Sequence, residues 1–103
     1  MWNWKYNKGK FSYEIVNEFP AIFKPDIVYI EGQKKQYWSA AFICPCGCRD
    51  VIYLNLLSNS NPAWTVRLHW HNCISIKPSV WRKVGCRSHF VLRKGKIRWC
   101  YYD

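Results

Sequence analysis

Short runs of β-branched and aromatic residues, set apart by breakers, dominate this chain. Ile27–Ile30, Trp38–Ile43, Val51–Leu57, Trp64–Trp70, Ile74–Lys77, Phe90–Arg93 and Ile97–Tyr101 each read as a strand. Pro20, Pro25, Gly32, Gly47, the Ser58–Pro62 cluster, Pro78 and Gly95 separate them. Only Tyr13–Glu18 suggests a short helical turn. The pattern predicts an all-β, mainly antiparallel fold, a small sandwich or partly open barrel. Two hairpins can be placed by their apolar matches. A two-residue turn at Lys94-Gly95 pairs Leu92 with Ile97, Phe90 with Trp99 and His89 with Cys100. A three-residue loop, His71-Asn72-Cys73, pairs Trp70 with Ile74 and Leu68 with Ile76, because a slip of one residue would turn every apolar side chain outward. Cys73 then sits at a hairpin tip, away from the other cysteines.

At 103 residues, half of them apolar and 18% aromatic, the chain supports one domain, residues 1–103, and is too rich in core-forming residues for intrinsic disorder. It leaves little room for a deep cofactor cleft. No apolar run approaches the ~20 residues of a membrane helix, and the start lacks the pattern of a secretory signal. A cytoplasmic protein with no membrane partner is expected. In such a reducing compartment the six cysteines point to metal rather than disulfides.

The chemistry gathers in two places. Cys44-Pro-Cys46-Gly-Cys48 follows one predicted strand, and Cys86-Arg-Ser-His89 precedes another. Zinc takes four N or S ligands in a tetrahedron, commonly from two tight turns, and three cysteines within five residues are hard to explain by packing. The expected zinc ligands come from Cys44, Cys46, Cys48, Cys86 and His89, with Cys100 a further candidate beside His89. His69 and His71 read as solvated or packed. Since candidate ligands outnumber four positions, and only Asp50 is an acid close to either cluster, the zinc reads as structural.

Charge sharpens the picture. The formal net charge is +10, and residues 51–103 carry nine basic side chains against one acidic. Arg82, Lys83, Arg87, Arg93, Lys94, Lys96 and Arg98 form a candidate surface for nucleic acid or another acidic partner.

The runs Glu18-Phe-Pro20, Lys24–Ile30, Phe42–Cys48, Lys77-Pro-Ser-Val80, Cys86–Phe90 and Lys96-Ile-Arg-Trp99 resemble a bacterial family of unknown function. Its signature is a Cys-x-Cys-Gly-Cys knuckle with a later Cys-x-Ser-His-aromatic, and the resemblance spans roughly residues 15 to 99. Trp81–Val84 and Cys100 lie outside its pattern. It implies a small metal-binding β protein, some relatives of which are encoded beside ubiquitin-like conjugation genes. Together these observations suggest a non-enzymatic zinc module that docks on a protein partner, in a bacterial ubiquitin-like modification system. The alternatives are a nucleic-acid binder using the basic, aromatic-interleaved segment 77–102, and a zinc-dependent hydrolase.

Overall fold

The computed structural model describes residues 10–59 and 61–100. Among these residues, eight strands form two four-stranded sheets that pack face to face without closing into a barrel. The first sheet has β1 (Ser12–Val16), β2 (Ile27–Gln33), β3 (Gln36–Ile43) and β4 (Val51–Asn55) in that spatial order. The second has β5 (Thr65–Leu68), β6 (Ile74–Trp81), β7 (His89–Arg93) and β8 (Lys96–Trp99), again in chain order. All pairings are antiparallel except β1 with β2.

Alternation along each strand sends one set of side chains between the sheets. Val28 and Ile30, Ala40 and Phe42, and Ile52 and Leu54 come from the first sheet; Ile74, Ile76, Val80, Phe90 and Leu92 come from the second. Phe42 makes edge-on contacts with Phe11 at 5.7 Å and Phe90 at 6.2 Å, so one aromatic chain spans the core. Residues just before β1 also stitch the sheets together. The Phe11 N–H donates to Gly95 O at 2.6 Å, and the Gly95 N–H donates to Ile74 O. Gly95 has φ of 81°, and a Cβ there would come within 2.7 Å of Phe11 O. Only glycine fits that turn.

The β7–β8 hairpin has the expected register, with Leu92 opposite Ile97 and Phe90 opposite Trp99. The Cys100 N–H donates to His89 O at 2.8 Å. Three expectations need correction. First, Tyr13–Glu18 makes no helical turn: residues through Val16 belong to β1, which adds in parallel to β2. Pairing with a neighbouring strand outweighs weak local preference here. Second, the β5–β6 turn spans Trp70–Asn72 rather than His71–Cys73: the His69 N–H donates to Cys73 O at 2.8 Å, with Leu68 opposite Ile74 and Val66 opposite Ile76. The shift is an even number of residues, so the same side chains still face the core. His71 and Asn72 both take left-handed backbone, and the Asn72 amide donates to Tyr13 O at 2.9 Å. Gripped by β1 in this way, the loop pushes Trp70 out to 87% exposure rather than opposite Ile74. Third, Pro78 does not end a strand but sits within β6, where the register against β7 shifts between Ile76 and Val80. A bulge tolerates the missing donor.

Candidate metal centre and serine–histidine pair

Two loops, one from each sheet, meet at the edge of the core. The first follows β3. Its ends are tied by the Cys44 N–H donating to Asp50 O at 2.8 Å, and Gly47 and Arg49 supply the positive φ that turns it. The second joins β6 to β7 and is closed by the Arg82 N–H donating to Ser88 O at 2.7 Å, with Gly85 and Arg87 left-handed. Together they bring the sulfurs of Cys44, Cys46, Cys48 and Cys86 within 4.8 Å of one another.

Tetrahedral zinc with Zn–S bonds of about 2.3 Å requires S···S edges of ~3.8 Å. Cys44 Sγ lies 3.5 Å from Cys46 Sγ and 3.7 Å from Cys86 Sγ. The donor set and its spacing fit a four-thiolate metal site. The four thiols sit in unequal surroundings. Burial pushes the Cys44 thiol up to about 12. Burial works the same way on Cys86, but the Ser88 hydroxyl and amide, with the neighbouring thiols, bring it down to about 6. The Ser88 hydroxyl chiefly, helped by the Cys48 amide, also lowers Cys46. Arg82 lies against the rim, with Nη1 at 3.5 Å from Cys48 Sγ, 3.4 Å from Cys86 Sγ and 3.2 Å from Asp50 Oδ2. A guanidinium there balances thiolate charge, an outer contact of the kind that tunes metal sites. Arg82 and Asp50 were legible as a charge and an acid near the cysteines, but their joint contact was not.

His89, the fifth expected ligand, lies outside this group of sulfurs. Its Nε2 is 2.8 Å from Ser79 Oγ. The two belong to β7 and β6 and share the outer face of the second sheet, since their neighbours Phe90 and Val80 point into the core. The Trp81 indole stacks on the His89 ring, with centroids 5.0 Å apart and planes at 16°, and Lys83 Nζ stands 4.5 Å from the indole centroid. The Trp64 indole N–H donates to Ser79 O at 3.2 Å and fixes the serine's peptide. Both Ser79 and His89 are half-buried. Ser79 was missed by sequence reasoning as a functional residue. Its signal was the Lys77-Pro-Ser-Val80 run, which no spacing rule linked to His89.

The remaining candidates scatter. Cys73 lies at the foot of the β5–β6 turn rather than at its tip, paired with His69 and bridged to Ser12, Cys100 meets His89 through backbone, and neither joins the four sulfurs. The basic set divides. Arg82 turns to the thiols and Lys83 to Trp81, while Arg87 occupies the metal loop. Arg93 and Lys94 line a groove on the second sheet. Lys96 faces Arg93 across β8, and Arg98 faces Val91. Tyr101 and Tyr102, part of the expected aromatic and basic segment, lie outside the described residues. No helix among the described residues is long and apolar enough to cross a membrane.

A family model described as bacterial ubiquitination-like system serine protease (BubE) matches residues 15–100. The chain belongs to that family. The resemblance read from the sequence, to a bacterial family associated with ubiquitin-like systems, is therefore met at that level. No curated protein and no solved structure matches the chain.

Proposed function

We propose that this chain is a serine protease of a bacterial ubiquitination-like system, with Ser79 as nucleophile, His89 as general base and a structural zinc on Cys44, Cys46, Cys48 and Cys86. The observation that carries the reading is the 2.8 Å approach of Ser79 Oγ to His89 Nε2 on a rigid sheet, in a chain whose family is described as a serine protease. His89 Nε2 takes the hydroxyl proton as Ser79 Oγ bonds to the scissile carbonyl carbon, then gives it to the departing amine. Water repeats the sequence on the acyl-enzyme and frees the serine. Trp81 holds the imidazole plane, and the Trp64 bond holds the nucleophile's backbone.

A zinc ion held by these four cysteines would leave no position for substrate or water and would contribute folding energy. The staple matters to catalysis through connectivity. Cys86 lies in the loop that leads from Ser79 and Trp81 to His89, so holding Cys86 to the first sheet sets how the two catalytic strands end. The non-enzymatic docking role suggested by the sequence rested on the family resemblance, small size and a lack of catalytic carboxylates. A Ser–His pair needs no carboxylate as its proton acceptor.

The test is covalent. A fluorophosphonate probe should label the intact protein once, with the adduct mapped by mass spectrometry to Ser79, and His89→Ala should abolish labelling. Absence of an adduct, or its location on another serine, would overturn the assignment.

A further inference from the structure

On the same outer face, a groove of about 550 Å³ runs from the β5–β6 strands to the β7–β8 turn. Arg67, Lys77, Arg93 and Lys94 line it, together with His69 and Ser75, and no carboxylate does so among the described residues. The groove is built on the same two strands, β6 and β7, that carry Ser79 and His89. Lys77 precedes Ser79 by two positions on β6, and Arg93 follows His89 by four on β7. From Ser79 back to Ser75 is at most ~13 Å of strand, about four residues of an extended peptide.

We propose that this groove binds an acidic stretch of the polypeptide substrate, a few residues to one side of the bond presented to Ser79. This rests on the protease reading and extends it to substrate choice. Four cations facing one concave surface create a field that draws carboxylates and repels basic segments. A nucleic acid is the weaker match. Single-stranded binders pair cations with aromatic platforms for the bases, whereas no Phe, Tyr or Trp among the described residues lines the groove. The exposed Trp81 and Trp99 lie elsewhere on the sheet.

The experiment uses the full chain carrying Ser79→Ala, so that bound peptide is not consumed. Fluorescence anisotropy compares a labelled glutamate-rich decapeptide, its glutamine counterpart, a lysine-rich counterpart and a labelled oligothymidylate. The glutamate peptide should bind at least about tenfold tighter than the glutamine one, with affinity falling steeply as salt rises. Adding Arg67→Glu and Arg93→Glu should reverse the order so that the lysine peptide binds best, a gain that unfolded protein would not show. Equal affinity for the glutamate and glutamine peptides overturns the proposal, and so does tighter binding of the oligothymidylate. Fluorophosphonate labelling of the wild-type protein separates the two readings. Labelling without charge-selective binding removes the groove proposal alone, while charge-selective binding without labelling removes the protease and leaves an acidic-peptide docking site.

Discussion

The second sheet carries two serine–histidine pairs of nearly equal length, Ser79–His89 at 2.8 Å and Ser75–His69 at 2.7 Å, and they are not chemically equivalent. Ser75 is 6% exposed, and its Oγ already accepts the Lys94 N–H at 2.8 Å. That serine closes the β7–β8 turn against β6, and His69 completes a buried hydrogen-bond set around it. Ser79 is half-buried at a bulge, with a stacked indole holding its partner. Distance alone therefore does not make a nucleophile. Access to the hydroxyl, and a base whose ring is held while the hydroxyl is left unburdened by structural bonds, separate the two pairs.

The difference can be broken hardest through the metal staple, since the Ser79–His89 strands are joined by the loop that bears Cys86 and the other pair is remote from it. Structural zinc supplies ~10–16 kcal/mol of apparent binding energy, comparable to or larger than a whole domain's stability. Cys86→Ser should lose stoichiometric zinc by elemental analysis and unfold or aggregate. Cys73→Ser, at the loop next to His69, should change stability by less than about 0.5 kcal/mol in denaturant titration. Wild-type protein purified without stoichiometric metal would remove the staple from the argument.

Next in size is the chemistry itself. Ser79→Ala should lower the rate of ester hydrolysis by about a thousandfold or more, with the melting temperature little changed. Ser75→Ala should leave the Ser79 fluorophosphonate adduct in place. If the two variants behave alike, the contrast between the pairs is wrong.

Ser75→Ala should instead register in stability. It strands the part-buried Lys94 N–H, and loss of one such hydrogen bond costs about 0.5–1.5 kcal/mol. A lowered midpoint in urea with an unchanged slope is the expected outcome; an unaltered midpoint would show that water replaces the hydroxyl.

The smallest effect concerns the Trp81 indole stacked on His89. Aromatic stacking is worth about 0.5–1.5 kcal/mol, so Trp81→Ala should slow Ser79 labelling by roughly threefold to tenfold. Trp81→Phe should recover most of the rate. Rates equal to wild type in Trp81→Ala would mean that the ring is held by other contacts.

Strand content, the tight turn at Lys94-Gly95 and the pairing of Phe90 with Trp99 followed from the chain alone, because local alternation and turn chemistry act over a few residues. So did the gathering of cysteines in outline. Three cysteines packed into one turn are conspicuous at any distance, and Cys86 matched them as a second cluster. The residue types of the site were thus legible, but the division of labour among them was not. His89 sits three residues after Cys86, and a Cys-x-x-His spacing reads as a ligand pair. Only the tertiary structure reveals that His89 begins a strand whose outer face turns it to Ser79, while the loop carries Cys86 to the other sheet. The strand character of Tyr13–Val16 and the shifted β5–β6 turn likewise depended on partners far along the chain. Sequence determined which side chains each segment offers, since alternation and turn propensity are local. Which of them meet was decided by the bulge at Pro78 and the packing of two sheets, because those distances depend on segments that the local pattern does not join.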